Sequence, residues 1–233
     1  MKPQIECVAL DVLTLRFGEQ VDEDTLPWLT AAAQRLREQF GAALIDLVPA
    51  YTTLMLHYDC RLLDEQAARH QIQLALHELR PSAPTNSGDL HRIPVWYDPS
   101  VGPDLAGLAA HTGLDASQLI ERHGARDYSV FALGFVPGFA YMGLLEPALA
   151  APRLATPRQR VAVGSVGVAE RQTAIYPSAS PGGWRIIGRT PVRLFDQHAV
   201  DASLLKPGDR VRFEAIDRDT FVQLGGDTTP LEG

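Results

Sequence analysis

The sequence predicts an α+β protein built from a small N-terminal α/β domain, residues 1–88, and a C-terminal β-rich domain, residues 89–233. Two observations carry this prediction. Strand-like and helix-periodic segments alternate over the first ~90 residues, whereas seven short β-rich segments separated by turn residues follow residue 127. The turn-rich segment 81–88, PSAPTNSG, is the candidate boundary between the two domains.

The N-terminal elements follow from composition and periodicity. Residues 5–17 are rich in β-formers and predict one or two strands. An acidic start at residues 22–24 and apolar positions at helical spacing predict a helix that Gly41 ends. The remaining segments predict a strand pair and a helix: residues 44–48 and 52–58, joined by a turn at 49–51, and residues 64–79.

The C-terminal domain begins with one predicted strand and two predicted helices. Residues 91–97 form the strand, and a short helix runs from Pro103 to Gly113. Asp115 and Gln118 have the spacing of a capping box, and Gly124 ends the helix that they begin. The seven β-rich segments that follow predict a closed barrel or a sandwich: residues 128–133, 160–168, 172–175, 185–187, 192–195, 210–216 and 221–224.

Composition narrows the class of protein. Apolar residues make up 45% of the chain and charged residues 21%, which is ordinary for a soluble globular protein. The sequence shows no signal-peptide core and no apolar run of the ~20 residues that a membrane span needs, so we expect a cytoplasmic protein without a membrane partner. A net charge of −7 argues against nucleic acid as a partner.

The charge is distributed unevenly along the chain. Residues 121–193 contain nine arginines and four acidic residues, which makes this segment +5 and the rest of the chain −12. Because the arginine side chain makes two-point contacts with carboxylates and phosphates, this segment is where we expect a small anionic ligand. The alternative is that these arginines pair with acidic residues of the same chain.

Several kinds of site are disfavoured. The seven histidines include no pair at metal-binding spacing, which predicts no metal site. Residues 183–190, GWRIIGRT, resemble a phosphate-binding loop, but arginine replaces its lysine and no helix is predicted to follow. Lys206 lies in Leu-Lys-Pro, so we expect no biotin carrier.

No catalytic residue is assigned. Ser165 lies between glycines but lacks the spacing of a nucleophile elbow, and no base can be paired with it. We expect His123, at the end of a predicted helix, to cap that helix or to lie in the core.

An ordered series of short motifs carries the strongest signal. The motifs are FVPGFAY at 135–141, PR at 152 and 157, VGSV at 163–166, QTAIYP at 172–177, PGGW at 181–184, IGRTP at 187–191 and GDRVRF at 208–213. This series resembles the family of the 5-oxoprolinase B subunit, also called allophanate hydrolase subunit 1, which includes the sporulation-kinase inhibitor KipI. The resemblance covers nearly the whole chain.

The resemblance implies a fold, partners and a reaction. It implies a cyclophilin-like β-barrel in the C-terminal domain. It also implies two partners, a larger C subunit and an A subunit, which act together with this chain to convert 5-oxoproline to glutamate. ATP would be a co-substrate of that assembly, and this chain alone would not be an autonomous enzyme. Two alternatives stay open: a KipI-like inhibitor of a histidine kinase, and a carboxyltransferase half that acts on urea or a related amide.

The motifs also give a candidate substrate site. In this hypothesis aromatic residues wall a groove, Pro-Gly turns hold its loops, arginines bind the substrate anion and two polar residues orient the amide. The residues are Phe135, Pro137, Gly138, Phe139, Arg153, Arg158, Gln172, Tyr176, Trp184 and Arg185. The chain departs from the family pattern at Glu170-Arg171 and at Ala174, where the family has glycines; this departure bears on substrate preference.

Overall fold

The computed structural model describes residues 1–81 and 88–231. The chain divides into two compact units, residues 1–87 and residues 88–233. Most of the predicted linker, residues 82–87, lies outside the described residues.

The N-terminal unit is an antiparallel sheet with two helices. Its strands follow the order β1-β2-β4-β3 across the sheet. The elements are β1 (Gln4–Ala9), β2 (Val12–Arg16), α1 (Leu26–Phe40), β3 (Leu44–Ala50), β4 (Thr53–Tyr58) and α2 (Glu65–Leu76).

These elements confirm the predicted N-terminal strands and helices, with one shift. The turn between β3 and β4 lies at Tyr51 and Thr52 instead of residues 49–51, because β3 continues through Pro49 and Ala50, which pair with Leu54 and Thr53. The core of this unit consists of alternate residues of β2 and β4 packed on the apolar faces of both helices.

The C-terminal unit contains the remaining helices and strands. They are β5 (Leu90–Trp96), α3 (Leu105–Thr112), α4 (Ala116–Gly124), β6 (Tyr128–Leu133), β7 (Ala140–Gly143), β8 (Arg158–Val161), β9 (Ser165–Ala169), β10 (Gln172–Ile175), β11 (Ser180–Gly182), β12 (Arg185–Arg189), β13 (Arg210–Ile216) and α5 (Arg218–Gln223). The predicted capping box of α4 is present, with Asp115 and Gln118 each bonded to the backbone of the other.

Within the described residues, seven strands close a barrel in the order β10-β7-β6-β13-β5-β12-β9, which confirms the α+β class and the predicted barrel. Strands β5 and β13 pair in parallel over their full length. β8 and β11 form a separate two-stranded ribbon. The largest apolar cluster contains inward residues of the barrel strands together with residues of α3 and α4.

Two predicted strands are wrong. Residues 192–195 form no strand, because the Val192 N–H bonds to the Thr190 hydroxyl and Phe195 makes only an isolated bridge to Ser203. Residues 221–224 belong to or follow α5, because Asp217 caps a helical turn by accepting the Thr220 N–H at 2.7 Å.

One predicted segment is divided, and two strands were not predicted. The segment 160–168 splits into β8 and β9, since Gly164 turns the chain with a φ of 78°. The short strands β7 and β11 were not predicted, because neither has enough residues to show an alternating pattern.

Among the described residues, no helix combines the length and the apolar character that crossing a membrane requires.

Candidate functional site

The sequence motifs meet on the outer side of one part of the barrel. In β9 and β10, Val166, Val168 and Ile175 belong to the large apolar cluster, whereas Ala169 and Ala174 belong to a second one. Since side chains alternate along a strand, this second cluster lies on the opposite face of β9 and β10. It contains most of the aromatic residues of the candidate site.

Phe139 is the centre of this second cluster. Its ring is 1% exposed and makes edge contacts with Tyr141, Tyr176 and Trp184 at centroid distances of 4.9, 5.3 and 5.8 Å. Edge-to-face contacts of this kind fix the relative orientation of aromatic rings. Phe139, Tyr176 and Trp184 are all buried, so they support the surface instead of walling an open groove.

Phe135 presents an aromatic ring to solvent in the loop between β6 and β7. Its side chain is 60% exposed, its φ is 70°, and its ring meets that of Phe139 edge-on at 5.5 Å. A bulky residue with positive φ is strained. The loop is held by short backbone bonds, Phe139 N–H to Val136 O at 3.1 Å and Gly134 N–H to Phe139 O at 3.1 Å.

Pro137 and Gly138 form the tip of this loop, and Gly138 fits a crowded position. Its φ is 81°, and a Cβ on Gly138 would lie 2.7 Å from the Cβ of Phe195. Only glycine satisfies both conditions without a shift of the loop.

Arg153 is the arginine of the predicted set that stands at the aromatic face. Its guanidinium lies 5.9 Å from the ring centre of Trp184, a cation–π contact, and its side chain is exposed. Burial raises the pKa of Tyr176 to about 12, so this phenol stays protonated at neutral pH.

Arg158 and Arg185 are engaged with the protein itself. Arg158 donates both terminal nitrogens to the carboxylate of Asp104, at 2.8 and 2.9 Å, and both side chains are nearly buried. Arg185 donates its Nε to the carbonyl of Pro152 at 2.9 Å. The sequence left open that an arginine of this segment pairs with an acidic residue of the same chain. Arg158 does so, because both of its terminal nitrogens are bonded to Asp104.

The family departures lie at the β9–β10 hairpin. Glu170 takes a φ of 53° in the turn, and its N–H bonds to Ala151 O at 2.6 Å, which anchors the turn without glycine. The methyl group of Ala174 is fully buried in the aromatic cluster. Gln172 is half-buried at the start of β10, four residues and therefore about 13 Å along the chain from Tyr176.

His123 lies inside the barrel unit as a fully buried, fully bonded residue. Its Nδ1 is 2.7 Å from the Tyr97 hydroxyl and its Nε2 is 3.0 Å from the Thr173 hydroxyl, and its ring stacks on Phe213 at 4.5 Å. Burial lowers its pKa to about 3, so it is neutral at physiological pH. This placement confirms the expected core role.

No group of three metal-binding side chains is found within residues 1–81 and 88–231. Ser165 is fully buried, and its hydroxyl has no hydrogen-bond partner in that part of the chain. Because both Ser165 and His123 are fully buried, neither belongs to a solvent-accessible serine–histidine pair among the described residues.

The sequence-based site omitted Arg189, which is the most deeply buried arginine of the described chain at 1% exposure. Its Nη1 donates to the carbonyls of Asp227 and Thr229 at 2.7 and 2.8 Å. It lines a cavity of about 360 Å³ together with Arg160 and residues 227–231. The signal in the sequence was an arginine that continues the apolar strand residues 186–187 after Gly188, in the IGRTP motif.

The fold and these motifs define a carboxyltransferase-type domain. Residues 3–205 match the family described as "Carboxyltransferase domain, subdomain C and D", so the chain belongs to that family.

Named relatives agree with this assignment. The chain is 33% identical to the 5-oxoprolinase B subunit of Bacillus subtilis, over 94% of this chain and 95% of that protein. It is 51% identical to the 5-oxoprolinase B subunit of Escherichia coli O157:H7 over 52% of this chain and 56% of that protein. The predicted family resemblance is therefore confirmed.

Solved structures share the fold. The structure of TTHA0988 superposes with a TM-score of 0.78 at 38% identity, over 90% of this chain and 40% of that longer chain. The urea amidolyase of Kluyveromyces lactis superposes with a TM-score of 0.74 at 15% identity, over 95% of this chain and 15% of that chain, which shows a common fold alone.

Proposed function

We propose that this chain is the B subunit of an ATP-dependent 5-oxoprolinase. It acts with a larger C subunit and with an A subunit to convert 5-oxoproline to glutamate, with ATP as co-substrate of the assembly. The observation that carries the proposal is the similarity to the 5-oxoprolinase B subunit of B. subtilis along almost the full length of both chains.

The surface around Phe135 supports a role in assembly. An exposed aromatic ring on a strained, tightly bonded loop is costly for an isolated chain, and such strain is common at functional sites. Exposed aromatic residues are also frequent anchors of protein interfaces. In the proposed function, Phe135 packs against one of the partner proteins, beside the substrate.

Arg153 is the cation that this surface offers to the substrate. The Trp184 ring holds its guanidinium in place, and within the described residues no acidic side chain forms a hydrogen bond with Arg153. In the proposed function it binds the carboxylate of 5-oxoproline or a phosphorylated form of the lactam. In this proposal the larger partner supplies the reacting groups.

The test is ATP-dependent release of glutamate from 5-oxoproline. This chain is co-purified with the larger C subunit and assayed with and without the A subunit. Activity that is lost when this chain alone is omitted supports the proposal, whereas a stable but inactive complex contradicts it. Arg61→Ala is the matched control for Arg153→Ala, because Arg61 is exposed, pairs with Asp59 and belongs to the N-terminal unit.

A second candidate function is favoured by the family description. A carboxyltransferase half that acts on urea or a related amide would require a biotin carrier on another chain or domain. The same purified complex, supplied with carboxylated biotin and urea in place of ATP and 5-oxoproline, distinguishes the two. The histidine-kinase inhibitor stays a prediction of the resemblance, and tight binding of a kinase that survives Arg153→Ala would favour it.

A further inference from the structure

Arg189 is a buried cation that interacts with the charge of Asp227, although only the backbone carbonyl of Asp227 forms a hydrogen bond with it. The described residues form no salt bridge to it, and its Nε and Nη2 have no hydrogen-bond partner there. Burial lowers the pKa of this arginine, which reflects the cost of removing its charge from water. Buried polar groups are normally hydrogen-bonded, so what this arrangement lacks is a partner for the Nε and Nη2 donors.

The two unpartnered nitrogens form one edge of the guanidinium group. Nε and Nη2 are the donors of the side-on fork, which matches two oxygens of a carboxylate or a phosphate. Nη1, on the other edge, is occupied by the carbonyls of Asp227 and Thr229. The free edge therefore has the geometry that a small oxyanion requires.

The surroundings are suited to such a ligand. Arg160 lines the same cavity, is exposed and adds a second positive charge. The cavity volume, about 360 Å³, lies within the range of small-molecule sites. Ser165, which pairs with Arg189 across β9 and β12, carries a further buried hydroxyl without a partner among the described residues.

We propose that this cavity is a binding site for a small carboxylate or phosphate, held by the free fork of Arg189 and by Arg160. The fork is shielded from solvent, and residues 227–231 form one wall of the cavity. The anion therefore enters as this C-terminal segment shifts, and that shift loosens the bonds from Arg189 Nη1 to Asp227 and Thr229. This inference does not depend on the proposed 5-oxoprolinase activity.

The test uses the full chain alone, without ATP or other subunits. Binding of sodium acetate and of sodium phosphate is measured separately by calorimetry in chloride buffer, and amide hydrogen exchange is followed over residues 227–231. We expect saturable binding of at least one anion below about 10 mM, with faster exchange at Leu231, whose N–H bonds to Ser100 O. Whichever anion binds identifies the ligand class.

Variants separate this site from general charge effects. Arg189→Lys keeps the charge but loses the fork, and we expect it to weaken binding about tenfold or more. Arg160→Gln leaves the buried arginine in place, so it keeps the fold and weakens binding about threefold. Arg193→Gln, an exposed arginine outside the cavity, is the control and should bind like the parent.

Two results would overturn the proposal. One is the absence of binding of either anion up to about 10 mM. The other is binding that Arg160→Gln leaves unchanged while exchange over 227–231 stays constant, because the anion would then bind elsewhere. If Arg189→Lys does not fold, the Arg160→Gln result and the exchange data decide the question.

Discussion

Arg158 and Asp104 form a two-point ion pair, at 2.8 and 2.9 Å, that ties β8 to the start of α3. Their side chains are 11% and 12% exposed, and Asp104 also accepts the backbone N–H of Ile186 at 2.7 Å. One carboxylate thus connects a ribbon strand, a helix and a barrel strand. An arginine that the sequence offered as a substrate ligand is part of the scaffold instead.

Removing one partner of this pair should destabilise the chain strongly. We expect Asp104→Ala to lower the free energy of unfolding by about 3–5 kcal/mol, because it leaves a nearly buried guanidinium unpaired. The double variant Asp104→Ala/Arg158→Met should recover part of that loss, and urea denaturation measures both. Asp196→Ala, which removes an exposed pair with Arg193, is the control and should cost under about 1 kcal/mol; equal losses would contradict the prediction.

His123 should make stability depend on pH. Its pKa is lowered to about 3 in the folded state, against about 6.5 when unfolded, so between these values the unfolded state binds more protons. The contribution of neutral, buried His123 to the free energy of unfolding is therefore complete above about pH 6.5. Below that pH it falls by about 1.4 kcal/mol per pH unit.

Denaturation of the parent and of His123→Gln at pH 5, 6, 7 and 8 measures this effect. The difference between the two chains should grow from pH 5 to pH 7 and then level off. His198→Gln, at an exposed histidine, is the matched control and should run parallel to the parent. A constant offset for His123→Gln would show that this histidine titrates normally.

Substitutions at Gly138 and Gly225 distinguish two costs of replacing glycine, backbone strain and steric crowding. Both have positive φ, 81° and 83°, but only Gly138 lacks room for a side chain; a Cβ on Gly225 meets nothing within 4 Å. We expect Gly225→Ala to cost about 1–2 kcal/mol from backbone strain. Gly138→Ala should cost at least about 1 kcal/mol more, because the loop must also move away from Phe195. Thermal unfolding of both variants checks the order, and equal losses would contradict it.

Phe135 should show opposite effects on stability and on assembly. Asparagine tolerates positive φ better than phenylalanine, so Phe135→Asn should leave the stability of the isolated chain unchanged or raise it by up to about 1 kcal/mol. If Phe135 packs against a partner protein, the same variant should weaken co-purification and lower turnover.

The control for Phe135 is Val200→Asn, which removes a fully exposed apolar side chain of the same unit. It should change neither stability nor assembly. A destabilised Phe135→Asn chain would indicate that the ring serves the fold of this unit alone.

The fold was predictable to a large extent because its signals are local. The apolar spacing of α1, the Asp115–Gln118 cap, the apolar run of β6 and the alternation in β13 all lie within short windows of sequence. The wrong predictions concern segments whose structure depends on contacts with neighbouring residues more than on their own composition. The segment 192–195, with three apolar residues, has no partner strand, and Phe221 is helical because Asp217 caps its turn.

The order of the motifs and the identity of their residues were set by the sequence alone, and these were sufficient to indicate the family. What each polar side chain does was decided by the tertiary structure. Each of Arg153, Arg158 and Arg189 directly follows a proline or a glycine, yet one stacks on Trp184, one pairs with Asp104 and one is buried with a free fork. The physical reason is that a charge acts through distance and burial, and both depend on segments that are far apart in the chain.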